Sequence, residues 1–158
     1  MKISKYILLF TILFNFNVYG GSEKLIQKMH YEASYEEALK KAEKLNKPLL
    51  LLIGQEGCPW CRKFEIKTLT NKDINDKVQE NFVPISVLRY KEKDSFPEKF
   101  QPKGVPTVLF IEPKEQKVFF KSFGYKSKRE YKIELDKALE IFNSKYKFKL
   151  LSNFIRVL

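Results

Sequence analysis

Cys58 and Cys61 are the only two cysteines of this chain, and just Pro59 and Trp60 separate them. Two thiols at this spacing can close a disulfide ring, and in an undistorted helix their Cβ atoms stand on the order of 5–6 Å apart on one face. A disulfide wants about 3.5–4.5 Å, so modest adjustment joins them. Such a ring is a poor staple. A closed loop of about 15 residues contributes only about 3 kcal/mol in the chain-entropy account, and this loop is far shorter. The pair is therefore read as reactive rather than structural.

The reactive form of a cysteine is the thiolate. Cys58 follows an apolar run and the breaker stretch Gly54-Gln55-Glu56-Gly57, and Pro59 suits the first turn of a helix, where a missing N–H costs nothing. Cys58 then lies at a helix N-terminus, whose free amides and dipole favour an anion. Arg62 and Lys63 add positive charge and Glu56 opposes them, so the Cys58 thiol is expected below the free value of about 8.5. In the resulting cycle Cys58 exchanges with an incoming disulfide, and the more buried Cys61 resolves the mixed disulfide. Other chemistries lack the residues. A zinc site needs about four ligands, and the chain adds a single distant histidine, His30, to its two cysteines. Haem attachment needs a histidine after the second cysteine, where Arg62 stands. No metal and no cofactor is expected.

These residues need a scaffold. Ser34 and Glu37 have the spacing of a capping box, and Tyr35, Ala38, Leu39, Ala42 and Leu45 recur at helical spacing up to Asn46 and Pro48. Residues 49–53 form a continuous apolar run, as expected of a central strand covered on both faces. A helix from Pro59 buries Phe64 and Leu69. Asn71 caps another helix carrying Ile74 and Val78. Residues 82–88 read as a strand with Pro84 near its start, and the charged stretch 89–100 as irregular. A third strand at 108–111 turns at 113–116 into a hairpin partner at 118–123. A last helix spans 128–142, with Tyr131, Leu135, Ala138, Leu139 and Phe142 on one side. Met29, His30 and Tyr31 are expected as a brief edge strand. The fold class is α/β, with a mixed central sheet of four to five strands flanked by helices on both faces.

The chain resembles the thioredoxin-like superfamily over roughly residues 29–142. The resemblance rests on the C-P-W-C motif after a strand, on Ala38-Leu39-Lys40-Lys41-Ala42 followed by Lys47-Pro48-Leu49-Leu50, and on Gly104-Val105-Pro106-Thr107 before a hairpin and helix. It implies a thioredoxin fold, a catalytic pair Cys58 and Cys61, and a cis proline at Pro106. It also implies a substrate-binding edge formed by Val105 and Pro106, and protein thiols or disulfides as partners; Trp60 is expected either packed in the core or exposed at that edge as an apolar substrate-binding platform. Two departures stand out. Pro59-Trp60 replaces the Gly-Pro of thioredoxin, and Leu52 occupies the position of the buried aspartate that helps move the resolving cysteine's proton. Glu56 or water is expected to take that role here.

Residues 1–5 are basic, 6–16 are mostly apolar, and small residues follow, which is the outline of a secretory signal peptide ending at Gly20. The alternative is an uncleaved N-terminal anchor. The expected organisation is a signal peptide at 1–20, a thioredoxin-like domain at 21–143 and a basic apolar tail at 144–158. Export implies an oxidising compartment, periplasmic or extracellular, and a reductant working there needs a membrane electron donor. The rival reading is a chaperone-like binding module whose redox chemistry is secondary. The formal charge is +11, but the lysines are scattered among glutamates and no nucleic-acid motif is present, so nucleic acid is not expected as a partner.

Overall fold

The computed structural model describes residues 27–147. The expected signal peptide and most of the basic tail lie outside them. Helix α1 (Tyr35–Leu45) leads into strand β1 (Leu49–Gly54), and helix α2 (Pro59–Phe64) continues through a π-helical turn (Glu65–Leu69). Helix α3 (Lys72–Asn81) and strand β2 (Val83–Leu88) follow. Strands β3 (Thr107–Glu112) and β4 (Lys117–Phe123) form a hairpin, and helix α4 (Lys128–Phe142) runs on into a π-helical turn (Asn143–Lys147).

The sheet order is β2-β1-β3-β4, with β1 parallel to β2 and antiparallel to β3. Every residue of β1 is buried, because a central strand alternates its side chains between two covered faces. Leu49, Leu51 and Ile53 join Tyr35, Ala38 and Ala42 of α1 in one core. Leu50 and Leu52 join Phe64, Leu69, Ile74, Val78, Tyr131 and Leu135 in the other. Helix α1 thus covers one face, and α2, α3 and α4 cover the opposite one.

Pro84 is tolerated within β2 because β2 is an edge strand. The Pro84 carbonyl points outward and accepts the Glu32 amide at 2.8 Å. The N–H that proline lacks would face the same outer edge, so the ladder to β1 loses no bond. That bridge also corrects the expectation for the lead-in. The isolated strand-like pairing falls at Glu32 against Ile85, one residue past the expected 29–31. Residues 27–29 are helical and His30 sits in a turn at φ 55°.

Two further details depart from the sequence reading. Phe64 and Leu69 are both buried although five residues apart. A regular α-helix cannot put both on one face, whereas a π turn, with the Thr70 amide bonded to the Glu65 carbonyl at 3.0 Å, can. The same turn leaves Ile66 exposed. At α1, the Ser34 hydroxyl accepts the Glu37 amide at 3.2 Å, one half of the expected capping box. The complete two-way box forms at Ser127 and Glu130, at the start of α4.

Candidate functional site: the Cys58–Cys61 disulfide

The loop between β1 and α2 delivers the two sulfurs to the end of the sheet. Gly54 closes β1, and its carbonyl accepts the Arg89 amide at 2.9 Å, which ties the loop to the end of β2. Gly57 adopts φ 71°, a left-handed conformation that a side chain would strain. Cys58 follows as the N-cap of α2, with Pro59 at the first helical position.

Cys58 and Cys61 are joined as a disulfide, with their Cα atoms 5.3 Å apart. The Cys61 amide donates to Cys58 Sγ at 3.1 Å. The sulfur therefore fills the capping role normally taken by an oxygen, and the same amide can hold a thiolate once the bond is reduced. Exposure separates the two cysteines. Cys58 is half-buried, whereas Cys61 is 5% exposed. An incoming sulfur can reach the first more readily than the second.

Beside the pair runs an open cavity of about 580 Å³, lined among others by Cys58, Cys61, Glu56, Arg62, Glu65 and Leu88. Burial raises the Glu65 carboxyl above the usual carboxylate range, and the Arg62 guanidinium only partly offsets this. Glu56 is exposed and pairs with Lys91 at 3.2 Å. Leu52 is buried in the core beneath.

Pro59 and Trp60 are both exposed, and Trp60 keeps 56% of its surface in solvent. The Trp60 ring lies 6.2 Å from the Tyr125 ring. The Lys63 ammonium stands over both, 4.9 Å from the Trp60 centroid and 4.6 Å from that of Tyr125. Lys63 thus serves the aromatic pair, while Arg62 is the basic residue that lines the cavity.

The Val105–Pro106 peptide bond is cis. Its loop is fixed on both sides. The Thr107 hydroxyl donates to the Gly104 carbonyl at 2.7 Å, and the Pro106 carbonyl accepts the Gly124 amide at 2.8 Å. Gly104 lies against the Phe123 ring, and a Cβ there would sit 2.9 Å from it. The segment 123–126 then bridges the two halves of the site. Gly124 holds Pro106, Tyr125 stacks beside Trp60 and edge-on to Phe64, and the Lys126 carbonyl accepts the Thr68 hydroxyl at 2.6 Å. Pro106 is buried and Val105 half-buried against the α1 side of the core.

Of the residues marked in the sequence, the structure bonds Cys58 to Cys61 and links Trp60 to Pro106 through this segment. Tyr125, Phe123 and Glu65 belong to the site as well, beyond the residues the sequence singles out. The stretch at Gly124 and Tyr125 reads only as a break in the strand pattern, and no local spacing connects Tyr125 to Trp60. Glu65 had a legible signal: it lies one helical turn past Cys61. His30 is exposed and distant in sequence from the pair. No cluster of three or more metal-ligating side chains occurs among the described residues.

Comparison with known proteins agrees with this architecture. A family described as "Thioredoxin-like domain" matches residues 35–139. Human Anterior gradient protein 2 homolog is 34% identical over 135 residues, covering 84% of this chain and 71% of that protein. Spermatogenesis-associated protein 20 of Rattus norvegicus is 35% identical over 77 residues, which is 46% of this chain but only 10% of that much longer protein. A thioredoxin from Thermus thermophilus superposes with a TM-score of 0.56 at 24% identity, covering 66% of this chain and 82% of its own.

Proposed function

From the premise that this chain belongs to the thioredoxin-like family, we propose that it is a thiol–disulfide oxidoreductase acting on exported proteins, with Cys58 as nucleophile and Cys61 as resolver. The observation that carries this reading is the Cys58 sulfur, half-buried at the head of α2, accepting the Cys61 amide and already bonded to Cys61.

The chemistry balances in either direction. In reduction, the Cys58 thiolate attacks one sulfur of a substrate disulfide. That bond breaks, a Cys58–substrate disulfide forms, and the released substrate thiolate takes a proton from water. Cys61 then loses its proton and attacks Cys58 Sγ. The Cys58–Cys61 bond forms, the second substrate thiol leaves, and the substrate has gained two electrons from the protein. An external dithiol returns the protein to its reduced state. Trp60, Val105 and Pro106 form the docking edge in this reading, with Pro59 and Trp60 as the motif dipeptide. The exposed Trp60 ring supports it, since a large flat apolar surface beside the sulfurs can hold a polypeptide at little entropic cost.

Direction follows charge. A strongly oxidising centre is one whose thiolate is stabilised. Here the cavity beside the cysteines is lined by one cation, Arg62, against two carboxyls, Glu65 and the Lys91-paired Glu56, and the carboxyls oppose the stabilisation that Arg62 and the helix N-terminus give the thiolate. This supports a reductant, with a potential nearer the thioredoxin value of about −270 mV than the strongly oxidising value of about −120 mV. A reductant placed outside the cytoplasm draws its electrons from a membrane donor protein. The test is reduction of insulin with dithiothreitol present. The unaltered protein accelerates precipitation of the insulin B chain and Cys58→Ser does not; a Cys58→Ser protein with full activity would refute the assignment.

A further inference from the structure

The resolving step requires Cys61 to lose a proton while it is 5% exposed, so bulk water meets little of its surface and a fixed acceptor on the cavity it lines is an advantage. The position that supplies a carboxylate in thioredoxin is Leu52 here, and Leu52 lies in the apolar core. Glu56 lines the cavity but is exposed and held by Lys91. Glu65 differs from both. Its amide bonds back to the Cys61 carbonyl, so the two residues are successive turns of one helix. Side chains four apart share a face, with Cβ atoms about 5–6 Å apart. Helical side chains also lean toward the N-terminus, which carries the Glu65 carboxyl over the turn that holds Cys61. Both residues line the same cavity, which is large enough for a bridging water.

We infer that Glu65 is the proton acceptor for Cys61. It takes the thiol proton as Cys61 attacks the mixed disulfide, and returns it to the departing Cys61 sulfur when the protein runs as an oxidant. This rests on the oxidoreductase reading above. The groups facing Glu65 suit the task. Arg62 on its own helix keeps the carboxyl ionisable. Tyr31, from the lead-in segment, is a buried phenol held un-ionised by burial and then by the Glu65 charge. Leu88 of β2 bounds the cavity with an apolar wall, and Glu56, paired with Lys91, is the second carboxylate that lines it. Burial holds Glu65 above the ordinary carboxylate range, which brings its proton affinity closer to that of a thiol and improves it as a base.

The experiment is stopped-flow reaction of the reduced protein with 5,5′-dithiobis(2-nitrobenzoate). The first thionitrobenzoate is released when Cys58 attacks, and the second when Cys61 displaces it to close the disulfide. In Glu65→Gln the first phase is unchanged or faster, because a carboxyl that opposes the Cys58 thiolate is removed. The second slows on the order of 10-fold or more near neutral pH, and the gap narrows as pH rises and hydroxide can take the thiol proton in place of the carboxylate. Glu65→Asp recovers part of the rate. A second phase unaltered by Glu65→Gln at every pH would overturn the inference. So would one slowed equally at all pH values and not recovered by Glu65→Asp. Absence of both phases in the unaltered protein would sink the exchange reading itself, and this inference with it.

Discussion

At the scale of single residues, burial decides what each polar group does. Glu65 is held protonated to a higher pH in the fold than in the unfolded chain. Its contribution is therefore most favourable below the unfolded value of about 4.3, and it declines as pH rises from there through the folded value. Replacing Glu65 with Gln removes that ionisation, so the variant should melt at the same or a higher temperature than the parent at neutral pH. Paired thermal melts near pH 4 and pH 7 check this, and a loss of stability confined to neutral pH would contradict it. Tyr131 gives a second case. Its ring is fully buried and stacks edge-on to Phe64 at 4.9 Å, while its hydroxyl finds no hydrogen-bond partner among the described residues. Tyr131→Phe keeps the ring contact and removes an unsatisfied group, so stability should rise by up to about 1 kcal/mol. Urea unfolding measures it, and a loss of that size would reveal a partner for the hydroxyl.

At the scale of elements, the regular pieces were legible because each has one dominant signal. The unbroken apolar run at 49–53 can only be covered on both faces, and the structure makes it the central strand β1. The proline after Cys58 fixes the start of α2. The π turn at Glu65–Leu69 was not legible. Its cause is a contest between local α geometry and the demand of the core for both Phe64 and Leu69, and the latter appears only once the sheet is in place. The lead-in departs from its expected strand for a related reason. The alternation at 29–31 looks strand-like, but the open edge position falls opposite Ile85 and is taken by Glu32. The two-way cap at Ser127 and Glu130 starts the helix that closes the site-bearing face of the sheet. Ser127→Ala should cost about 1 kcal/mol, read by urea unfolding. A change below a few tenths would mean the cap adds nothing beyond tertiary packing.

At the scale of the whole molecule, two cores on opposite faces of one sheet hold a small reactive edge in place. The cysteine pair could be read directly, because a spacing of three residues by itself brings the two thiols within bonding reach. The bridge from Pro106 through Gly124 and Tyr125 to Trp60 could not, since it joins the ends of three separate elements. The cores also set an alkaline limit. Tyr31 is buried and Tyr131 fully so, and burial raises both phenols well above the ordinary value. The unfolded chain then releases these protons first, so the stability they secure is whole below about pH 10 and falls as pH rises beyond it. Melting temperatures followed from about pH 8 to pH 12 should drop once the unfolded phenols begin to ionise; a flat profile would contradict their burial. The most direct test of exchange through Cys58 is capture in the cell of origin with Cys61→Ala. Adducts with exported proteins should accumulate through Cys58, release with dithiothreitol, and vanish when Cys58→Ser is added. Absence of any thiol-sensitive adduct, or capture that persists without both cysteines, would contradict it.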